Sequence, residues 1–172
     1  ERTLLDDPTG MLRDPDVSYD GERLLFSWRK AETTDDFHLH EMDLSNGAVR
    51  QLTHGLGFAD IEGCYLPDGN LVFNSTRCVI AVDCMGHPAP NLYRCDKDGG
   101  RMRRLGFDQV GTSHPSVLPD GRVVFTRWEY NDRNPVFLQP LMQMNPDGTQ
   151  QVEYYGGNSS WPTSLHQAHP IP

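Results

Sequence analysis

The stretch His114-Pro-Ser-Val-Leu-Pro-Asp-Gly-Arg-Val-Val-Phe125 reads as a short strand, a tight turn at Asp120-Gly121 and a second, apolar strand ending in Phe125. Glycine enters the positive-φ conformation that an abrupt strand reversal requires, so Asp-Gly between apolar runs signals a hairpin. The same pattern occurs twice more, in Asp16-Val-Ser-Tyr-Asp-Gly-Glu-Arg-Leu-Leu-Phe26 and Glu62-Gly-Cys-Tyr-Leu-Pro-Asp-Gly-Asn-Leu-Val-Phe73. The turn glycines Gly21, Gly69 and Gly121 lie 48 and 52 residues apart. A second series keeps pace with the first: Asp43-Leu-Ser-Asn-Gly47, Asp96-Lys-Asp-Gly99 and Asn145-Pro-Asp-Gly148, with glycines 52 and 49 residues apart. Each of these second turns is flanked by further strand-like runs, Phe37–Met42 and Ala48–Leu52 in the first unit, Asn91–Cys95 and Arg101–Leu105 in the second, Leu138–Met144 and Gln150–Tyr154 in the third.

Four short antiparallel strands per roughly 50 residues is the period of a propeller blade. A β-sandwich of hairpins offers no reason for such regular repetition. The sequence therefore predicts an all-β fold, a β-propeller-type array of four-stranded antiparallel blades over about 13–57, 58–111 and 112–162. Residues 163–172 start a fourth blade, where His169-Pro170 repeats His114-Pro115. Leu25, Phe26, Val72, Phe73, Val124 and Phe125 are expected in the seams between blades. A closed ring needs four or more blades, so residues 1–172 read as one partial propeller domain. The rest of the same polypeptide, or another subunit, is expected to complete it; two three-blade halves forming one six-bladed ring is a further option.

Composition narrows the function. The 172 residues carry a formal net charge of −9, which opposes binding to nucleic acid and to anionic membranes. Apolar runs are only a few residues long, too short for a membrane span. The first residue is Glu1 and no apolar leader is visible, so the chain reads as a processed or excised piece.

The Pro-Asp-Gly turns followed by apolar strands resemble the repeats of TolB-type propellers. The third unit, Leu118-Pro-Asp-Gly-Arg-Val-Val-Phe-Thr-Arg-Trp-Glu-Tyr130, with Gln143-Met-Asn-Pro-Asp-Gly-Thr149 and Tyr154-Tyr-Gly156, is similar to the propeller region of proteins related to the hydrazine synthase alpha subunit. Ser75-Thr-Arg-Cys78 and Asn91-Leu-Tyr-Arg94 add to that likeness, which spans about residues 13–172. The resemblance implies a large periplasmic or secreted protein in which the propeller is one part. In the true enzyme covalent haems carry the redox chemistry, whereas this chain contains no C-x-x-C-H attachment motif. Cys84-Met-Gly-His87 has one cysteine where two are needed. Two functions follow. The first is a non-catalytic binding or scaffold module of an extracytoplasmic protein, with a protein or small-molecule ligand. The second is the propeller portion of a haem or metal redox enzyme whose haem sites lie elsewhere.

Cysteines stand at 64, 78, 84 and 95, with no C-x-x-C pair. Cys78 and Cys84, five residues apart in between, are expected to form a disulfide if the flanks run antiparallel and the protein matures outside the cytoplasm; two half-buried thiols is the alternative. Cys64 and Cys95 are left as buried or free.

Two site candidates emerge. First strands line a propeller's channel, so the blade-starting residues Asp16, Glu62, His114 and His169 are expected to converge near the axis. Two carboxylates and two imidazoles there would suit a divalent cation; capping of turns is the alternative use. The segment Arg127-Trp128-Glu129-Tyr130 with Arg133 offers guanidinium groups for a carboxylate and rings for a flat ligand. The competing reading is an internal brace of Arg–Glu and Arg–Asp pairs. No serine-nucleophile motif, phosphate loop or spaced acid pair is present. Asn74-Ser-Thr and Asn158-Ser-Ser match the glycosylation sequon without further support.

Overall fold

The computed structural model describes residues 2–31, 35–83, 85–130, 138–158 and 161–171. Among the described residues twelve strands form three four-stranded antiparallel sheets. The first blade holds β1 (Met11–Val17), β2 (Arg23–Arg29), β3 (His38–Asp43) and β4 (Val49–Gln51) in that order. The second holds β5 (Asp60–Tyr65), β6 (Leu71–Ser75), β7 (Asn91–Cys95) and β8 (Arg103–Arg104). The third holds β9 (Thr112–Val117), β10 (Val123–Arg127), β11 (Leu141–Met144) and β12 (Val152–Tyr155). This is the propeller-blade arrangement, and no long helix occurs among the described residues; one 3-10 turn spans Thr76–Cys78. No described helix is long and apolar enough to cross a membrane.

Turn chemistry explains the hairpins. Gly21, Gly47, Gly69, Gly99, Gly121 and Gly148 all have positive φ. The aspartate before each first-series glycine accepts the amide two residues on: Asp20 from Glu22 at 3.0 Å, Asp68 from Asn70 at 3.0 Å, Asp120 from Arg122 at 3.1 Å. An Asx turn of this kind satisfies backbone groups that the reversal leaves unpaired.

Alternation on the pleated strands sends successive side chains to opposite neighbours. Leu25 and Leu39 of the first blade meet Tyr65, Leu71, Phe73, Tyr93 and Cys95 of the second, with Leu52 between them. From the other face of the second blade Cys64, Leu66, Val72 and Leu92 meet Val123, Phe125, Met142 and Met144 of the third, joined by Leu105. All six residues expected in the seams are buried. Polar ties cross the same seams: the Tyr65 hydroxyl donates to Glu41 at 2.8 Å, Arg50 reaches Asp98 at 2.8 Å, and Arg94 donates to the Pro146 carbonyl at 3.0 Å while pairing with Asp68. Beyond the third blade, residues 163–165 lie beside Gln139, whose amide donates to the Thr163 carbonyl at 2.9 Å and whose carbonyl accepts from Leu165 at 3.0 Å.

Candidate functional site: the axial pocket

Each first strand carries a β-bulge, seen as a register break between Arg13 and Asp16, between Ile61 and Cys64, and in the pairing of β9 with β10. At every bulge a non-glycine residue sits in the left-handed region: Asp14 (φ 56°), Glu62 (55°) and His114 (53°), and Gln167 (54°) in the segment after the third blade. Holding a side chain there is costly, so the surroundings must fix it. They do so with a ladder. The Asp14 carboxylate accepts the Glu62 amide at 2.9 Å, and the Glu62 carboxylate accepts the His114 amide at 2.7 Å. Second strands brace the ladder. Ser27 donates to Asp14 at 3.3 Å and Asn74 to Glu62 at 2.8 Å, while the Thr112 hydroxyl donates to the side-chain amide oxygen of Asn74 at 2.7 Å. Asn74 is fully buried in this network, so its sequon is not displayed.

The ladder corrects the alignment of blade starts. Asp14, Glu62, His114 and Gln167 are equivalent, and Asp16, Cys64, Ser116 and His169 form a second set two residues on. Asp16 and His169 therefore stand one pleat away from Glu62 and His114. All four predicted residues do line one pocket of about 460 Å³, together with Asp14, Cys64, Pro115 and Gln167. In it Asp16 accepts the Tyr65 amide at 2.9 Å, Ser116 lies 3.3 Å from His169 Nδ1, and Glu62 is 3.6 Å from both His114 Nε2 and Arg13. Burial holds the Asp16 carboxyl above its ordinary value, against the Tyr65 amide and the His169 ring, which lower it. Burial and the neighbouring His114 depress His166, whose ring meets His114 edge-on at 5.5 Å. Among the described residues no three His, Cys, Asp or Glu side chains are disposed to hold a metal ion, and Asp14 and Glu62 each present an oxygen to a backbone amide.

The second candidate lies at the outer end of β10. Arg127 pairs with Asp108 at 3.1 Å across the seam to the second blade and with Glu129 at 2.7 Å. Trp128 and Tyr130 meet edge-on at 5.9 Å and pack on Val82, Ala89 and Val110. Arg133 lies outside the described residues. So does Cys84, the expected partner of Cys78, whose thiol lies 3.4 Å from the Ala89 carbonyl oxygen. Cys64 and Cys95 are free thiols on opposite faces of the second blade, and burial pushes Cys95 up to about 12.

Sequence reasoning missed a third feature, the network around Asp60. This fully buried carboxylate accepts from Ser75 at 2.6 Å and from Arg77 at 2.9 and 2.6 Å, and lies 3.5 Å from His38 Nδ1. Burial raises its pKa, but the His38, Arg77 and Ser75 bonds outweigh that and hold it low. With the acid as hub and the serine and histidine both turned onto it, the trio has no nucleophile–base contact and works as a latch between strands.

Comparison with solved structures places the architecture. The TolB structure from Agrobacterium tumefaciens is 22% identical over 88% of this chain and 51% of its own, with a TM-score of 0.68. The fold is that of a TolB-like propeller. Hydrazine synthase from Kuenenia stuttgartiensis superimposes with a TM-score of 0.71 at 17% identity, covering 84% of this chain and 25% of that one. A puromycin hydrolase covers 98% of this chain and 25% of its own at 18% identity, with a TM-score of 0.67. The chain thus spans about half or less of each of these structures. No protein-family profile matches the sequence, and no curated protein matches it. At these identities the likeness establishes the fold alone.

Proposed function

We propose that this propeller module is a non-catalytic binding and scaffold element of an extracytoplasmic protein, with the axial pocket as its ligand-facing feature. The observation that carries this reading is the ladder: the Asp14 and Glu62 carboxylates that line the pocket hold adjacent blades together. A general acid or base needs a free, poised group, and these are committed to amides. Arg127 and Trp128 are likewise engaged within the chain, so the outer loop supports the rim. The extracytoplasmic setting draws on the TolB-like repeats.

The test is a visible spectrum, an elemental analysis and thermal unfolding with added Zn²⁺ or Ca²⁺. The module should show no Soret band, no stoichiometric metal and no saturable rise in Tm. A Soret band, or a metal-dependent rise in Tm abolished by His114→Ala or His169→Ala, overturns the scaffold reading in favour of a redox or metal enzyme portion.

A further inference from the structure

The fourth strands end in a repeated word. Arg50-Gln-Leu52 and Arg103-Arg-Leu105 each close a blade, and their leucine amides donate at 2.8 Å to the third-strand carbonyls of Leu39 and Leu92. Both leucine side chains fill the seam to the next blade. The same word stands before the first blade as Arg2-Thr-Leu4, and Leu4 precedes Leu52 by 48 residues, the spacing of Asp14 and Glu62. Leu4 also occupies the corresponding place. It lines an apolar groove of about 330 Å³ with Leu24, Phe26 and Met42 on the outward face of the first blade. Strand register makes these three the counterparts of Leu71, Phe73 and Cys95, which the second blade turns onto the first. The stacked pair Phe26–His40 (5.9 Å) likewise repeats the stacked pair Phe73–Tyr93 (6.1 Å).

This face is one half of an inter-blade seam, with two leucines of the other half, Leu4 and Leu5, in position. His40 adds a second sign. Its Nδ1 lies 3.0 Å from the His38 carbonyl and must donate, which leaves the buried Nε2 as an acceptor without a partner. We infer that residues 2–5 are the end of the fourth strand of a further blade of the same polypeptide, and that this blade seats on Leu24, Phe26 and Met42. The source is the same chain because Leu4 leads directly into β1, as Leu52 leads into β5 and Leu105 into β9. The register also argues against two copies closing a six-bladed ring. The segment around His169 of one copy would take the first-strand place that β1 of the other already fills.

The inference rests on the propeller-module reading, and amide exchange separates the two. In the 172-residue chain the Leu4 amide has no backbone partner among the described residues, whereas Leu52 and Leu105 do. In the full-length polypeptide exchange at Leu4 should slow by about 100-fold or more, to the level of Leu52 and Leu105. Leu4→Ala should then lower its Tm as Leu52→Ala does, while leaving the Tm of the 172-residue chain nearly unchanged. A Leu4 amide that stays open in the full-length polypeptide, or a natural polypeptide with no residues before Glu1, overturns the inference. Rapid exchange at Leu52 and Leu105 would instead sink the propeller-module reading itself.

Discussion

His40 shows how one buried ring sets a pH response. It is stacked on Phe26 and edge-on to Trp28 at 5.1 Å, and burial lowers its pKa to about 4. The unfolded chain takes up that proton near pH 6.5, so between pH 6.5 and 4 the unfolded state binds more protons. Stability should therefore fall on acidification through this window, by about 3 kcal/mol once His40 is fully charged. His38 acts in a different range. Burial disfavours its charged form, yet the Asp60 carboxylate outweighs burial and raises its pKa. Its contribution is complete below pH 6.5 and is lost only as pH rises through the raised value. Urea unfolding at pH 7 and pH 4.5 should show the acid loss, and His40→Asn should flatten it. An unchanged slope in the variant would assign the pH dependence elsewhere.

At the scale of strands, the bulges determine what reaches the axis. Glu62 ties the second blade to the third through the His114 amide, and Asn74 of its own blade braces it. Its side chain is only 9% exposed, so removing the carboxylate strands buried donors. Glu62→Ala should cost about 2–3 kcal/mol, the range for charge-assisted hydrogen bonds, and Glu62→Gln distinctly less. Gly63, next along the bulge, lies against the first blade. A Cβ there would stand 2.9 Å from Leu25 Cδ2 and 3.0 Å from Leu39 Cδ2. Gly63→Ala should accordingly destabilise by about 1–3 kcal/mol through overpacking, read as a lower urea midpoint with an unchanged m-value.

Across the whole molecule stability follows the seams, because each blade packs only on its neighbours. Phe73 is fully buried between the first and second blades, and Phe73→Ala should cost about 3–5 kcal/mol. Phe26 holds the equivalent position on the first blade but faces the half-filled groove. Phe26→Ala should shift the denaturation midpoint less; equal shifts would show that residues 2–9 already complete that seam.

The repeat, the number of strands, their turns and the alternation of seam residues were all legible in the sequence. They follow from local rules: glycine's access to positive φ at the reversals, and a two-residue period that assigns each side chain to one face. Leu25, Val72 and Phe125 could be placed by counting. The channel row could be counted as well: Asp14, Glu62 and His114 each stand seven residues before Gly21, Gly69 and Gly121, but Asp16 and the repeated His169-Pro170 were placed in that row two residues too late. The Arg127–Glu129 pair was within reach of the brace reading, but Asp108 as a partner of Arg127, and the partners of Asp60 and Glu62, were hidden, since a charge shows its sign in the sequence but not its neighbour. Asp108 reaches Arg127 from the previous blade's last loop, and the His114 amide reaches Glu62 from 52 residues away, distances along the chain that only blade-on-blade packing closes.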